Sequence, residues 1–235
     1  MSDKKIDIQK VKNATTVILP AFNEEKVIAD VIKGIKKEGY KNIIVVDDGS
    51  FDNTTNIALK NKVYTITLPI NRGVGAATKT GIDYALTTNS KIIVTIDSDG
   101  QHCPKDIIKV LMPIVKNKAD VSIGTRLKNP KGMPIIRIIG NWGFNFITLL
   151  LFGVWTTDSQ SGFKAFNRKA AKKIEIKTNR MEFCSEIIKE IGDKKLRLKE
   201  VPIKVIYTDY SKAHGQSTFN AFRILAKLIL RKLIK

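Results

Sequence analysis

The stretch IIVTIDSDGQH, residues 92–102, decides the fold and raises the first question about function. An apolar and β-branched run leads directly into Asp97, Ser98 and Asp99, and Gly100 then favours a turn. The run predicts a buried strand that ends in two carboxylates one residue apart. On a turn, both carboxylates can reach one hard cation, either Mg²⁺ or Mn²⁺. The alternative is a solvated turn with an aspartate cap, because short motifs often match by chance.

The first half of the chain alternates between strands and helices. Near-continuous apolar strands that alternate with helices predict an α/β fold with a mostly parallel sheet flanked by helices. The strands are predicted at 15–20, 42–48, 63–68, 91–97 and 119–124, and the helices at 24–38, after Asp52, at 73–86 and from Pro104. Asn23 is the expected N-cap of the helix at 24–38, and Asp52 is the expected cap of the next helix.

Candidate site residues collect at the predicted carboxyl ends of these strands, where parallel α/β sheets bind their ligands. They are Pro20, Phe22, Asn23, Asp47, Asp48, Asn71, Arg72, Asp97, Asp99, Thr125 and Arg126. Their convergence on one edge of the sheet favours a binding site over a solvated turn for the two carboxylates of DSD.

The second half of the chain is less regular. Helices are predicted at 136–153, 169–174 and 180–192, a half-exposed strand at 196–209, and a last helix from about Ser217. The apolar run Trp142–Trp155 is too short to cross a bilayer, so it is predicted to be a core helix or to lie in a membrane interface. The polar N-terminus predicts no signal peptide.

The chain is strongly basic, with 41 Lys and Arg residues against 22 Asp and Glu residues and a net charge of +19. Such a surface attracts polyanions, which include nucleic acid, anionic lipid and phosphorylated substrates. A nucleic-acid-binding protein is therefore one hypothesis, but an aromatic content of 7% and the lack of a recognised motif count against it. Cys103 and Cys184 match no metal or redox spacing and are predicted to be reduced thiols.

Five motifs narrow the function. In chain order they are VILPAFNEE (17–25), IIVVDDGS (43–50), DSDGQH (97–102), GTR (124–126) and DSQSGFKAF (158–166). Together they resemble family 2 glycosyltransferases with the GT-A fold, and within that family the dolichol-phosphate mannose synthase group. The resemblance implies a Rossmann-like GT-A domain over residues 1–218.

The resemblance also implies a reaction. A hexose or N-acetylhexosamine would be transferred from a GDP- or UDP-sugar to dolichyl or polyprenyl phosphate, with inversion. Mg²⁺ or Mn²⁺ would be held by Asp97 and Asp99, with Gln101 beside it, and would stabilise the departing diphosphate. The sequence names neither the sugar nor the base.

Further residue roles follow from the same resemblance. Asp48 would accept an N–H of the base, and Asp99, Asp158 and Arg126 would be the catalytic residues. The positions that match nucleotide-sugar contacts are Pro20, Phe22, Glu24, Asp48, Asp97, Ser98, Asp99, Gln101, Arg126, Arg137 and Lys212. His102 is predicted to pack or to cap rather than to act in the site.

Asp158 lies on the acceptor side in this comparison. It would be a base for a hydroxyl acceptor, but a phosphate monoester, whose second pKa is about 6, is already largely anionic at neutral pH. We therefore predict that Asp158 orients groups rather than removing a proton. One alternative keeps the fold and transfers the sugar to a glycan hydroxyl, with Asp158 as the base. A nucleotidyltransferase would also use a D-x-D motif.

Two glycine- and lysine-containing loops have weaker assignments. The segment YSKAHGQSTF (210–219) resembles a loop that closes over the diphosphate. Lys212 stands where the family often has arginine, so it supplies charge without a bidentate clamp. In NRGVGAATKTG (71–81), Gly73 and Gly75 are predicted to allow close packing rather than to bind a cofactor.

Residues 219–235 are predicted to form a basic amphipathic helix, because Arg223, Lys227, Arg231 and Lys235 recur every four residues among apolar ones. This pattern suits a helix at an anionic membrane surface, and the alternative is a core-packed terminal helix with a solvated basic face. Because polyprenyl phosphate lies in a bilayer, the protein is expected at the cytoplasmic face of the membrane. It would bind there peripherally or through a partner membrane protein.

Overall fold

The computed structural model describes residues 6–128, 130 and 133–206. The strands are β1 (Thr15–Ala21), β2 (Asn42–Asp47), β3 (Tyr64–Thr67), β4 (Ile92–Thr95), β5 (Val121–Thr125), β6 (Lys164–Asn167) and β7 (Leu198–Pro202). The helices are α1 (Ile8–Asn13), α2 (Ile28–Lys37), α3 (Thr54–Lys60), α4 (Val74–Thr87), α5 (Ile107–Val115), α6 (Ile135–Phe152), α7 (Arg168–Lys173) and α8 (Phe183–Asp193). The strands form one seven-stranded sheet in the order β3-β2-β1-β4-β6-β5-β7.

The predicted α/β fold with a mostly parallel sheet is confirmed. Alternate side chains of β1 enter two apolar clusters on opposite faces of the sheet. Val17 and Leu19 belong to the cluster that contains α2 and α5, and Ile18 belongs to the cluster that contains α4 and α8. Helices therefore cover both faces, as the near-continuous apolar strands indicate.

One strand runs against the others. β6 is antiparallel to its neighbours β4 and β5, whereas the remaining neighbouring pairs are parallel. The start of β6 therefore lies at the same edge of the sheet as the carboxyl ends of β4 and β5. This reversal brings residues 158–163 to the edge where Asp97 and Arg126 follow their strands.

The sequence did not predict β6. Its four residues are too few to show a strand pattern, and Lys164 at its start is fully buried although lysine normally lies at the surface. The ammonium group of Lys164 donates to the carbonyl oxygen of Ser161 and lies 5.9 Å from the centre of the Phe183 ring.

The prediction that Asn23 caps a helix at 24–38 is wrong. The helix begins at Ile28, and Asn23 has a φ of +56° in the left-handed region. Its Oδ1 instead accepts the N–H of Phe51 at 2.9 Å, so Asn23 joins two loops. Asn53 occupies the cap position of α3, and Asp52 lies one residue before it, but the Asp52 Oδ1 accepts the N–H of Thr54, the first residue of α3, at 2.9 Å.

Gly73 and Gly75 are packing glycines, as predicted. Gly73 has a φ of +104°, which favours glycine, and it caps the start of α4. A Cβ on Gly75 would collide with the carbonyl oxygen of Thr178, and one on Gly73 with that of Asn179. The start of α4 therefore rests directly on the backbone before α8.

Helix α6 presents apolar side chains outward. Ile135 is 75% exposed and Leu150 is 62% exposed, whereas the buried residues of the helix are the polar Asn145 and Thr148. Among the described residues, this exposure favours the interface alternative over the core-helix alternative for the run that ends at Trp155.

Helix α6 begins at Ile135 and is therefore longer at its start than the apolar run Trp142–Trp155 considered in the sequence. By length and composition, α6 qualifies as a candidate span, with 18 residues and a mean hydropathy of 1.6. The shorter run counted from Trp142 omitted Ile135 to Ile139, which Arg137 interrupts.

Several predictions fall outside the described residues. They are the end of the strand at 207–209, the loop at 210–219 with Lys212, and the helix from Ser217 with its basic segment 219–235. The two cysteines are free thiols, as expected, and Cys184 is buried.

Candidate active site

A cavity of about 690 Å³ opens at the carboxyl ends of β1, β2 and β4. Ten of the eleven positions predicted to contact the nucleotide sugar line it. They are Pro20, Phe22, Glu24, Asp48, Asp97, Ser98, Asp99, Gln101, Arg126 and Arg137, while Lys212 lies outside the described residues. The structure therefore brings together residues that are up to 117 positions apart in sequence, counted from Pro20 to Arg137 (137 − 20).

Asp97 lies at the floor of this cavity, with 37% of its side chain exposed. Its Oδ2 is 3.1 Å from Nε2 of His102. A Cβ on Gly162 would collide with the Asp97 carboxylate, so a glycine is required there. Burial alone would raise the pKa of Asp97, but the hydrogen bond with His102 and the positive charges of Arg126 and Lys164 outweigh it and lower this pKa.

Asp99 has the opposite shift. Burial first, and then the negative charge of Asp97, raise the pKa of Asp99 above its ordinary value. Its Oδ1 accepts the N–H of Gln101 at 2.9 Å, and its Oδ2 accepts the Gln101 side-chain amide at 2.5 Å. The two carboxylates are therefore close enough to repel, and a cation between them would relieve that repulsion.

The side chains available as metal ligands indicate which class of metal ion the site fits. Among residues 6–128, 130 and 133–206, no group of three or more His, Cys, Asp or Glu side chains is placed to hold an ion. Mg²⁺ and Mn²⁺ prefer oxygen ligands, and Mg²⁺ commonly takes one or two carboxylates with substrate phosphates. The carboxylates of Asp97 and Asp99, with the amide of Gln101, therefore fit such an ion together with a diphosphate.

The two aspartates at the end of β2 have different contacts. Asp47 makes turn contacts, because its Oδ1 accepts the N–H and the hydroxyl of Ser50 at 2.9 and 2.6 Å. Asp48 lines the cavity, and its oxygens accept the N–H groups of Arg72 and Gly73 at 2.9 and 2.6 Å. The loop at 71–73 thus holds Asp48 in place, and its contact with a base stays a prediction.

The end of the cavity near β1 carries aromatic side chains. Phe22 lines it, and the Phe51 ring packs edge-on against Phe22 with the ring centres 6.1 Å apart. Ser98 is buried, and its hydroxyl donates to the Pro20 carbonyl oxygen at 2.7 Å, which ties the turn after β4 to β1.

Arg126 and Asp158 form a bidentate ion pair at the opposite side. Arg126 donates from Nε to Oδ2 at 2.8 Å and from Nη2 to Oδ1 at 2.7 Å, and its backbone N–H also donates to Oδ2 at 2.8 Å. The Asp158 side chain is fully buried, whereas 18% of the Arg126 side chain is exposed. Asp158 itself is not a lining residue, so it faces the cavity through Arg126.

His102 is the main residue that the sequence analysis missed. It packs against Phe163, as expected for a packing residue, but it also lines the cavity and contacts Asp97. The sequence offered only a partial signal, because Gly100 predicts a turn but not whether that turn returns His102 to Asp97. Val205 forms a bridge with His102, and Ile206 donates to the Gln101 carbonyl oxygen at 2.8 Å, so the chain after β7 supports this turn.

Comparison with known proteins identifies the class. The model of glycosyl transferase family 2 matches residues 16–175, which is more than half of the chain. The chain belongs to this family, and the protein is a glycosyltransferase with the GT-A fold.

Two relatives match nearly the whole chain. An uncharacterized protein of Methanocaldococcus jannaschii is 51% identical over 227 residues, which are 94% of this chain and 93% of the relative. A UDP-N-acetylglucosamine–dolichyl-phosphate N-acetylglucosaminyltransferase of Methanococcus voltae is 42% identical over 241 residues, covering 93% of this chain and 96% of the relative.

Solved structures share the fold. Glucosyl-3-phosphoglycerate synthase from Mycobacterium tuberculosis, in complex with Mn²⁺, UDP and glucosyl-3-phosphoglycerate, matches with a TM-score of 0.70 at 17% identity. The match covers 97% of this chain and 84% of that one. The same enzyme has also been solved with Mg²⁺ and UDP.

The tight contact at Gly162 gives a test of the acidic pair. We expect Gly162→Ala to displace the Asp97 carboxylate and to weaken Mn²⁺-dependent UDP binding about tenfold or more, measured by calorimetry. Gly143→Ala is the matched control, because a Cβ there meets nothing within 4 Å. A folded Gly162→Ala protein with unchanged affinity would show that Asp97 takes no part in binding.

Proposed function

We propose that this glycosyltransferase transfers a hexose or N-acetylhexosamine from a UDP- or GDP-sugar to a polyprenyl phosphate, with a divalent cation. One observation carries the proposal. Helix α6 lines the acidic cavity with Arg137, Asn141 and Phe144, and the same helix exposes Ile139 and Leu150 outward. An active site whose wall is also an exposed apolar surface suits an acceptor that is bound to lipid.

The residues that line the cavity suggest how the sugar donor binds. Pro20, Phe22, Glu24 and Asp48 would surround the base and ribose. Asp97 and Asp99, with Gln101, would hold Mg²⁺ or Mn²⁺, and a bound ion of this kind neutralises a departing diphosphate. The name of the Methanococcus voltae relative favours UDP-N-acetylglucosamine as the donor.

The Arg126–Asp158 ion pair suggests how the acceptor phosphate binds. An acceptor phosphate is already anionic at neutral pH, so its oxygen would attack the anomeric carbon as the carbon–oxygen bond to the diphosphate breaks, with inversion. Arg126, with Arg137, would hold phosphate charge. Asp158 would orient Arg126, since both of its oxygens already accept N–H groups of that residue.

The rival hypothesis, transfer to a glycan hydroxyl, needs Asp158 as a base. Three N–H donors on a fully buried carboxylate weigh against that role. Radiolabelled sugar would stay in the aqueous phase if the acceptor were a glycan.

The first test is a panel of UDP- and GDP-sugars with a short polyprenyl phosphate. We expect radiolabel from one donor, UDP-N-acetylglucosamine first among them, to enter the organic phase, and EDTA to abolish the transfer because the carboxylate pair then lacks its cation. Restoration by Mn²⁺ or Mg²⁺ is the control. Transfer that persists in EDTA would contradict the metal requirement, and label confined to water would contradict the lipid acceptor.

We also propose that α6 lies at the membrane interface. Trp142 and Trp155 pack 6.0 Å apart at ring centres and remain 42% and 53% exposed, which suits an interfacial position. The cavity-lining face of α6 favours lying on the membrane over crossing it. The protein would bind peripherally at the cytoplasmic face, either directly or through a partner membrane protein. Residues 219–235 would add a basic contact to the apolar contact of α6.

The membrane face is tested by a matched pair of leucines on two helices. Leu150 on α6 is 62% exposed and Leu59 on α3 is 54% exposed. Leu150→Asp is expected to weaken binding to phosphatidylglycerol-containing vesicles about tenfold or more, because it removes an apolar contact with lipid and adds a negative charge. Leu59→Asp should bind like the unchanged protein. If the unchanged protein, Leu150→Asp and Leu59→Asp bound equally to the vesicles in a flotation assay, the assignment of α6 to the interface would be refuted.

A further inference from the structure

Helix α6 is attached to the protein through a polar side chain. Its buried residues are Asn145 and Thr148, both with no exposed surface. These two residues have different partners, because Thr148 Oγ1 has no hydrogen-bond partner among the described residues, whereas Asn145 uses both ends of its amide.

Asn145 holds the backbone on both sides of Asp158. Its Nδ2 donates to the carbonyl oxygen of Thr157 at 2.7 Å, and its Oδ1 accepts the N–H of Ser159 at 2.9 Å. A side chain needs one donor and one acceptor at this spacing to make both bonds, and asparagine supplies them. The position of the Asp158 backbone is therefore set in part by α6.

The contacts continue from this backbone to the cavity. Asp158 holds the Arg126 guanidinium by two hydrogen bonds, and the exposed part of Arg126 lines the cavity. Each step from Asn145 to Arg126 is a direct contact of 2.9 Å or less.

The same loop is anchored elsewhere by β7. Glu200 Oε1 accepts the Thr156 hydroxyl at 2.7 Å and the Thr157 N–H at 2.6 Å. That anchor acts before Asp158, whereas the Asn145 bond to Ser159 acts after it. Glu200 can therefore keep the loop folded when Asn145 is changed, while the direction of Asp158 is lost.

We propose that Asn145 is a positioning residue, which fixes the Asp158–Arg126 pair from the lipid-facing helix. The proposal deepens the proposed function, since it assigns α6 a second role at the acceptor end of the same site. Asn145 itself is fully buried and does not line the cavity. A change at Asn145 should lower the transfer rate and leave the donor end of the cavity intact.

The test compares Asn145→Leu, which keeps the size and removes both hydrogen bonds, with Thr148→Val as the matched control. We expect Asn145→Leu to lower kcat/KM for the polyprenyl phosphate about 10- to 30-fold and to weaken UDP binding by a clearly smaller factor, because Arg126 keeps its charge and loses only its fixed direction. Thr148→Val removes an unpaired hydroxyl and should match the unchanged protein in both measurements.

A double-mutant cycle shows whether Asn145 acts through Arg126. We expect Asn145→Leu combined with Arg126→Lys to be less than about threefold slower than Arg126→Lys alone, because the pair that Asn145 positions is already impaired. If the two single-variant losses in kcat/KM multiplied in the double variant, Asn145 and Arg126 would act independently, and the proposal would be overturned. So would a folded Asn145→Leu protein with normal kcat/KM, or one whose UDP affinity falls as much as its transfer rate.

Asn145→Ala keeps the proposal testable if Asn145→Leu does not fold, because it removes both hydrogen bonds without adding a charge or an apolar branch, and it leaves room for water to bridge the loop. It should lose about three- to tenfold in kcat/KM. Unfolding of both variants would assign Asn145 to stability and overturn the positioning role. If the unchanged protein transfers sugar only to a glycan, the proposed function fails separately, and the cycle is then measured with that acceptor.

Discussion

The site depends on keeping negative charge at the floor of a partly enclosed cavity. Asp97 and Asp99 follow the same strand, and burial together with the Asp97 charge raises the pKa of Asp99. The protein balances Asp97 with groups from three other places in the fold: His102 from the following turn, Arg126 from the end of β5 and Lys164 from β6. The reversed direction of β6 is what brings Gly162 and Lys164 to this edge. The ends of β5 and β6 at this edge therefore support the Asp97 carboxylate.

The same edge joins the charged cavity to an apolar surface. α6 contributes lining residues on one side, buries Asn145 on another and exposes isoleucine and leucine side chains on a third. A soluble acceptor would not require that arrangement, because large exposed apolar patches are uncommon on proteins that act alone in water. The fold thus places the acidic pair, the Arg126–Asp158 ion pair and the apolar face within one structural unit.

Much of the parallel sheet and of the cavity could be predicted from the sequence, because β2 is nearly all apolar and ends in Asp47, and the apolar run of β4 leads within two residues to Asp97. The rest could not. β6 could not be predicted because it begins with Lys164. A lysine is buried only when a partner such as the Ser161 carbonyl oxygen is in place, and the fold sets that partner. The exposure of α6 was open because the same apolar run suits a core helix or an interface helix. His102 was missed because its contact with Asp97 depends on the exact turn at Gly100.

The central claim is that the acidic pair after β4 holds the cation that carries a nucleoside diphosphate. The most direct measurement is a crystal structure of the protein soaked with Mn²⁺ and UDP, with the ion located by its anomalous scattering. The account predicts manganese in contact with Asp97 or Asp99 and with the oxygens of the diphosphate, at the floor of the cavity. Manganese and diphosphate bound away from both carboxylates would contradict it.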